Sequence, residues 1–185
     1  MINVGTPDEP TVESVRDYLR EFLLDPDVID APYLIRQILV RGIILRVRPG
    51  KVAPLYEKIW MDEGSPLRVY SERITESVSK HVDGIHIEHA MRYGNPSIRK
   101  GLENLREAGV TELLLLPMFP HHAQATTETA LKHAYKEMKA MSWQPKTIEM
   151  GHFPTDENYI NPLAKSIESH LTEGTHLLYL SLIHI

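Results

Sequence analysis

Apolar residues recur along this chain at two spacings, and the alternation between them sets out its elements. Val12, Val15, Leu19, Phe22 and Leu23 fall on one helical stripe, with Pro10 and Glu13 where a helix start favours them. Before that stripe, MINV is a short strand closed by Gly5-Thr6-Pro7. GIHIEHAM, residues 84–91, predicts a second strand, and Asn95-Pro96 after it predicts an N-cap followed by a proline at the first helical position. Ile98, Leu102 and Leu105 make the stripe of that helix and Gly109 its C-terminal cap. ELLLLP predicts a third strand, followed by a helix from about Ala125 to Met141, and KTIEM (146–150) a fourth. Asp156 then caps a helix whose Ile160, Leu163, Ala164, Ile167 and Leu171 share one face expected to be buried, and HLLYLSL is the last strand.

Strands alternating with helices, and strands that read as apolar runs, predict an α/β fold with a parallel sheet covered on both faces. Residues 31–81 are too long for a plain crossover and carry helical patterns of their own, so they predict an inserted lid or lip. Within it, APYLIRQILVRGIILRVRPGK mixes bulky apolar residues with Arg36, Arg41, Arg46, Arg48 and Lys51. Such a segment suits an apolar ligand with acidic edges or a membrane surface, and equally an ordinary covered helix whose arginines reach outward.

The 185 residues are 42% hydrophobic and 24% charged, enough for one domain with a real core. A formal net charge of -5 gives no general attraction to nucleic acid. With no cysteine, the chain holds no disulfide, thiolate zinc site or Cys-ligated iron–sulfur cluster. No membrane-span-length apolar run and no signal-peptide pattern is present, and a cytoplasmic location is expected.

Parallel sheets bind ligands beyond the carboxyl ends of their strands. Here those ends are Asn3 to Pro7, Arg92 to Pro96 and Pro117 to Thr127, which predicts one rim holding a strand-end arginine, helix-start amides and His121-His122. Neither Gly5 nor Gly94 has the spacing of a dinucleotide fingerprint or a P-loop. The ten histidines include no His-Glu-x-x-His pattern. His86 and His89 fit a strand, with one satisfied by a backbone group. The His121-His122 pair reads as a ligand-facing rim, a solvated turn or a metal site, and adjacent histidines seldom face one metal.

NVGTPDEPTVESVRDYLREFLLDPDVIDAP, RPGKVAPLYEKIWMDEGSPL, AMRYGNPSI and LLLLPMFPHHAQATT, in this order, resemble the N-terminal half of ferrochelatase, from residue 2 to about Leu178. The resemblance implies a Rossmann-like, chelatase-type half (1–175) with a helical lip, residues 176–185 being the first strand of a second half. It implies ferrous iron as a substrate, inserted into a porphyrin (protoporphyrin or coproporphyrin) during haem synthesis, and no further cofactor. By position, Arg46, Arg48 and Tyr56 match contacts to the macrocycle or its propionates. Ser65 and Arg92 match further cleft positions, and His122 a cleft-wall residue. Where the family carries a Ser-x-His-Gly-x-Pro motif the chain reads LSLIHI, with His184 out of register, so no catalytic residue is carried over. The expectation is one wall of a porphyrin cleft, inactive by itself, with a non-catalytic tetrapyrrole-binding half-domain as the alternative. A peripheral membrane contact and self-association through the C-terminal strand are also expected.

Overall fold

The computed structural model describes residues 1–172, Gly174 and His176. The predicted strand HLLYLSL, the edge expected to self-associate and His184 lie outside the described residues apart from His176. The described residues fall into two compact units, one of Met1–Gly151 and one that starts at His152.

In the first unit, β1 (Ile2–Gly5) leads into α1 (Val12–Leu23), capped by Thr11, whose hydroxyl accepts from the Ser14 amide. The insertion then builds α2 (Tyr33–Gln37), a π-helical stretch (Ile38–Ile44), α3 (Leu45–Ile59) and α4 (Pro66–Ser79). β2 (Ala90–Tyr93), α5 (Ile98–Glu107), β3 (Glu112–Leu115), a second π-helical turn (Gln124–Glu128), α6 (Thr129–Ala140) and β4 (Lys146–Glu149) complete it. β1 pairs with β2 and β3 with β4, all parallel. The two pairs meet where Ile2 bridges Pro117: the Ile2 amide donates to Leu116 O and the Met118 amide to Ile2 O, each at 2.8 Å. The strand order is therefore 2-1-3-4, with the reversal of direction beside β1, where open sheets place their ligand crevices.

Successive residues of a strand face opposite sides. Ile2 joins the core formed with α5 and α6 (Ile98, Leu102, Ala130, Ala134, Met138), whereas Asn3 turns to α4 and donates to Ser71 Oγ at 3.4 Å. Helices thus lie on both faces, as the apolar strands predict. A second core holds the lip to α1 through Val15, Leu19, Leu23, Val40, Leu45 and Ala53, so the lip is packed as part of the fold.

Four expectations are revised. Strand β2 begins only at Ala90, because pairing starts at Ile2↔Ala90; earlier residues have no strand opposite, and Ile85 and His86 are exposed. The next helix is capped by Ser97, which accepts from the Lys100 amide, while Asn95 and Pro96 stay in a turn tied back to β2 by the Met91 amide donating to Pro96 O. β3 is not buried on both sides: Leu113 and Leu115 enter the core, while Leu114 and its register partner Ile148 are exposed. In the second unit Asp156 caps α7 (Glu157–Glu168) as expected, but no residue of α7 is buried.

Candidate functional site

Two glycines allow the carboxyl ends of β1 and β2 to meet. Gly5 has φ +113° and Gly94 φ +81°, conformations L side chains rarely adopt. A Cβ on Gly5 would lie 1.8 Å from Tyr93 O, and one on Gly94 2.7 Å from Thr6 O.

Beyond this close approach, Asp25 caps the rim from the end of α1. Its Oδ2 accepts from Tyr93 Oη at 2.8 Å, from Thr129 Oγ1 at 2.6 Å and from Arg92 Nη2, and its Oδ1 accepts from the Asp27 amide at 2.8 Å. Arg92 Nε donates to Thr129 Oγ1 at 2.8 Å, and its guanidinium stacks over the Tyr93 ring at 4.3 Å. Burial opposes the Asp25 charge most, but the donors from Thr129, Asp27 and Tyr93, with the field of Arg92, together hold its pKa below the ordinary value. Burial also pushes the Tyr93 phenol upward. Two residues further along, Asp27 takes Lys132 Nζ at 2.8 Å and Gln124 Nε2 at 3.1 Å. The root of the lip is therefore tied to β2 and to the start of α6. The network walls an open groove of about 920 Å³ between the start of α1, the Gly94 turn and α6, with Lys132, His133 and Lys136 on one side and Glu21, Asp25 and Asp27 on the other. Burial, then the nearby Arg92 charge, lowers the His133 pKa.

Of the residues singled out by sequence, Arg92 is committed to Asp25 and Thr129 and lines this groove. Ser65 is buried and caps α4, accepting from the Arg68 amide at 3.3 Å. Ser65→Ala is expected to cost about 1 kcal/mol, read as a lower urea midpoint at constant slope; an unchanged midpoint would show that the hydroxyl is not acting as a cap. Tyr56 is half-buried against the lip core, 6.3 Å edge-on to Trp60, and burial raises its pKa against the opposing Arg48 charge. Arg46 and Arg48 are both exposed but are two residues apart on α3, about 200° around a helix, so they do not face the same way. His122 is exposed in the turn after β3, its Nε2 3.5 Å from Glu128 Oε1. His89, half-buried before β2, has its Nε2 buried without a hydrogen-bond partner, and no backbone group satisfies it; burial lowers its pKa. Among the described residues no cluster of three or more His, Asp or Glu is arranged to hold a metal ion, and no helix is long and apolar enough to cross a membrane.

The lip carries the largest apolar exposure of the unit: Tyr33, Leu34, Ile35, Ile38 and Ile43 stand outward, Leu34 with 72% of its surface open. The family model for ferrochelatase matches residues 1–183. The chain belongs to the ferrochelatase family. Ferrochelatases of Coxiella burnetii, strains CbuG_Q212 and CbuK_Q154 and strain RSA 493 (Nine Mile phase I), are each 44% identical to it over 179 residues, covering 94% of this chain and 48% of the relative. The chain spans about half the length of the curated relatives it matches. Asp25 and Thr129 escaped the sequence analysis: Asp25 looks like a helix-end residue before Pro26, and its side-chain partners lie 67 to 104 positions away. The one local signal is a carboxylate directly after the apolar run Phe22-Leu23-Leu24, which needs a partner if it is buried with that run.

Proposed function

We propose that this chain forms one wall of a porphyrin cleft in an enzyme that inserts ferrous iron into a porphyrin in haem biosynthesis. The observation that carries the reading is the outward apolar face of the lip, Tyr33, Leu34, Ile35, Ile38 and Ile43, packed on α1 through its own core. An exposed patch of this kind marks a ligand, protein or membrane surface, and a flat macrocycle with apolar faces and carboxylate edges complements apolar side chains next to cations. Arg48 is proposed to meet a propionate and Tyr56 the macrocycle. Ser65 acts at the foot of the lip, and His122 lines the rim. Arg92, already balanced by Asp25, orients that rim. The same lip face is proposed to rest against a membrane surface when no macrocycle covers it.

The proposal is tested by anaerobic absorbance titration of the 185-residue chain with protoporphyrin or coproporphyrin, followed by ferrous or zinc ion. The expected result is a saturable bound-porphyrin shift with no metalloporphyrin formed above the protein-free rate. Absence of any shift would remove the cleft-wall reading. Catalysed metallation would show instead that the chain builds a complete reaction site by itself.

A further inference from the structure

On the α1 side of the lip lies a second feature that the porphyrin reading does not use. A surface depression of about 330 Å³ is lined by Arg16, Arg20, Arg41, Leu45 and Arg46. Arg16 and Arg20 are four apart on α1 and so share one face. Arg41 and Arg46 are five apart, a spacing that an α-helix would splay by about 140°. The π-helical stretch Ile38–Ile44, with its i to i+5 periodicity, brings them toward one side. Arg16 Nε donates to Leu45 O at 3.3 Å and so fixes the distance between the two helices.

Charge balance at this place is one-sided. Asp17 pairs with Arg20 at 2.6 Å, and among the described residues no carboxylate pairs with Arg16, Arg41 or Arg46. Two other exposed arginines do find acids: Arg73 pairs with Glu63, and Arg99 with Glu103 and Glu137. Like charges gathered in one concave spot create a positive potential that an anion relieves. Guanidinium forks match the oxygens of a phosphate group, which several of them can share from different directions.

We propose that this depression is a binding site for a phosphate-bearing anion, with Arg16 and Arg20 of α1 and Arg41 and Arg46 of the lip as its ligands. The phosphate comes either from a soluble phosphate ester or from a phospholipid headgroup, the lip's exposed Leu39 and Ile43 being close in sequence to the arginines. Of its four arginines Arg46 alone is also matched to a porphyrin contact; Arg16, Arg20 and Arg41 are not.

Two arms test it on the 185-residue chain: calorimetric titration with pyrophosphate, and co-sedimentation with phosphatidylcholine vesicles with and without phosphatidylglycerol. Saturable binding in either arm, weakened roughly ten-fold by Arg41→Gln and again by Arg20→Gln and left unchanged by Arg73→Gln, supports the site. Pyrophosphate binding assigns it to soluble phosphates, and binding to phosphatidylglycerol vesicles alone assigns it to a headgroup. Among the described residues Arg41 has no hydrogen-bond or ion-pair partner, and circular dichroism checks that each variant stays folded. No binding in either arm, or binding that neither substitution weakens, overturns the proposal.

Discussion

Gly5→Ala is expected to abolish the folded state. The added Cβ would lie 1.8 Å from Tyr93 O and 2.8 Å from Tyr93 C, both backbone atoms of the register partner across β1 and β2, and Gly5 holds φ +113°. Neither obstacle yields to a side-chain rotation. Relief requires the two strand ends to separate, which would take with them the Tyr93 ring packed edge-on to Phe22 at 5.1 Å and the Tyr93 hydroxyl bonded to Asp25. A loss above about 4 kcal/mol follows, in the range reserved for backbone strain and broken buried networks. The matched substitution is Gly50→Ala: Gly50 lies within α3 with nothing inside 4 Å of its would-be Cβ, so it should gain up to about 1 kcal/mol from helix propensity. Urea unfolding of both variants checks the pair. A Gly5→Ala chain with an unchanged midpoint would mean that the β1 and β2 ends do not meet as described.

How far the sequence alone leads depends on the range of the interaction. The stripes of α1 and α5 were readable because their periodicity is local, and the parallel sheet followed from strands alternating with helices. The same reasoning extended β2 back to Gly84, because Ile85 and Ile87 alternate as a strand does; only the position of β1 decides that pairing begins at Ala90. It likewise read Leu114 as buried within a four-leucine run, whereas the helix-covered face takes Leu113 and Leu115 alone. At the site, the strand-end location of Arg92 and His122 was legible from the topology rule. What occupies Arg92 was not, since Asp25 and Thr129 lie 67 positions before it and 37 after it. Arg46 and Arg48 look like a pair on paper, and helix geometry sends them different ways. The gathering of Arg41 with Arg46 depends on a π-helical stretch that has no sequence signature here.

Asp25→Ala should be the most damaging change to a polar side chain. The carboxylate is 5% exposed and receives donors from Tyr93, Thr129, Arg92 and the Asp27 amide. Its removal leaves a guanidinium that is only 13% exposed without its counter-charge, and breaking one side of a buried pair costs about 3–5 kcal/mol. Removing both charges, as in Asp25→Leu with Arg92→Met, is expected to cost less than the sum of the single changes, because no uncompensated charge then remains. The pH dependence has a definite sign. The folded pKa of Asp25 lies below the ordinary aspartate value, so its stabilisation is complete above that ordinary value and is lost as pH falls through the folded pKa. Wild-type stability measured by urea titration should therefore fall below about pH 4 more steeply than that of the double variant. Because Asp25 lies just before the lip (residues 31–81) and anchors its root, amide exchange in residues 26–45 should accelerate in Asp25→Ala before global unfolding. Exchange that rises equally throughout the unit would show that Asp25 supports the fold as a whole and does not anchor the lip in particular. A single-variant cost near 1 kcal/mol would show that water replaces the carboxylate at little expense, and that Arg92 is free to meet an anion at the rim.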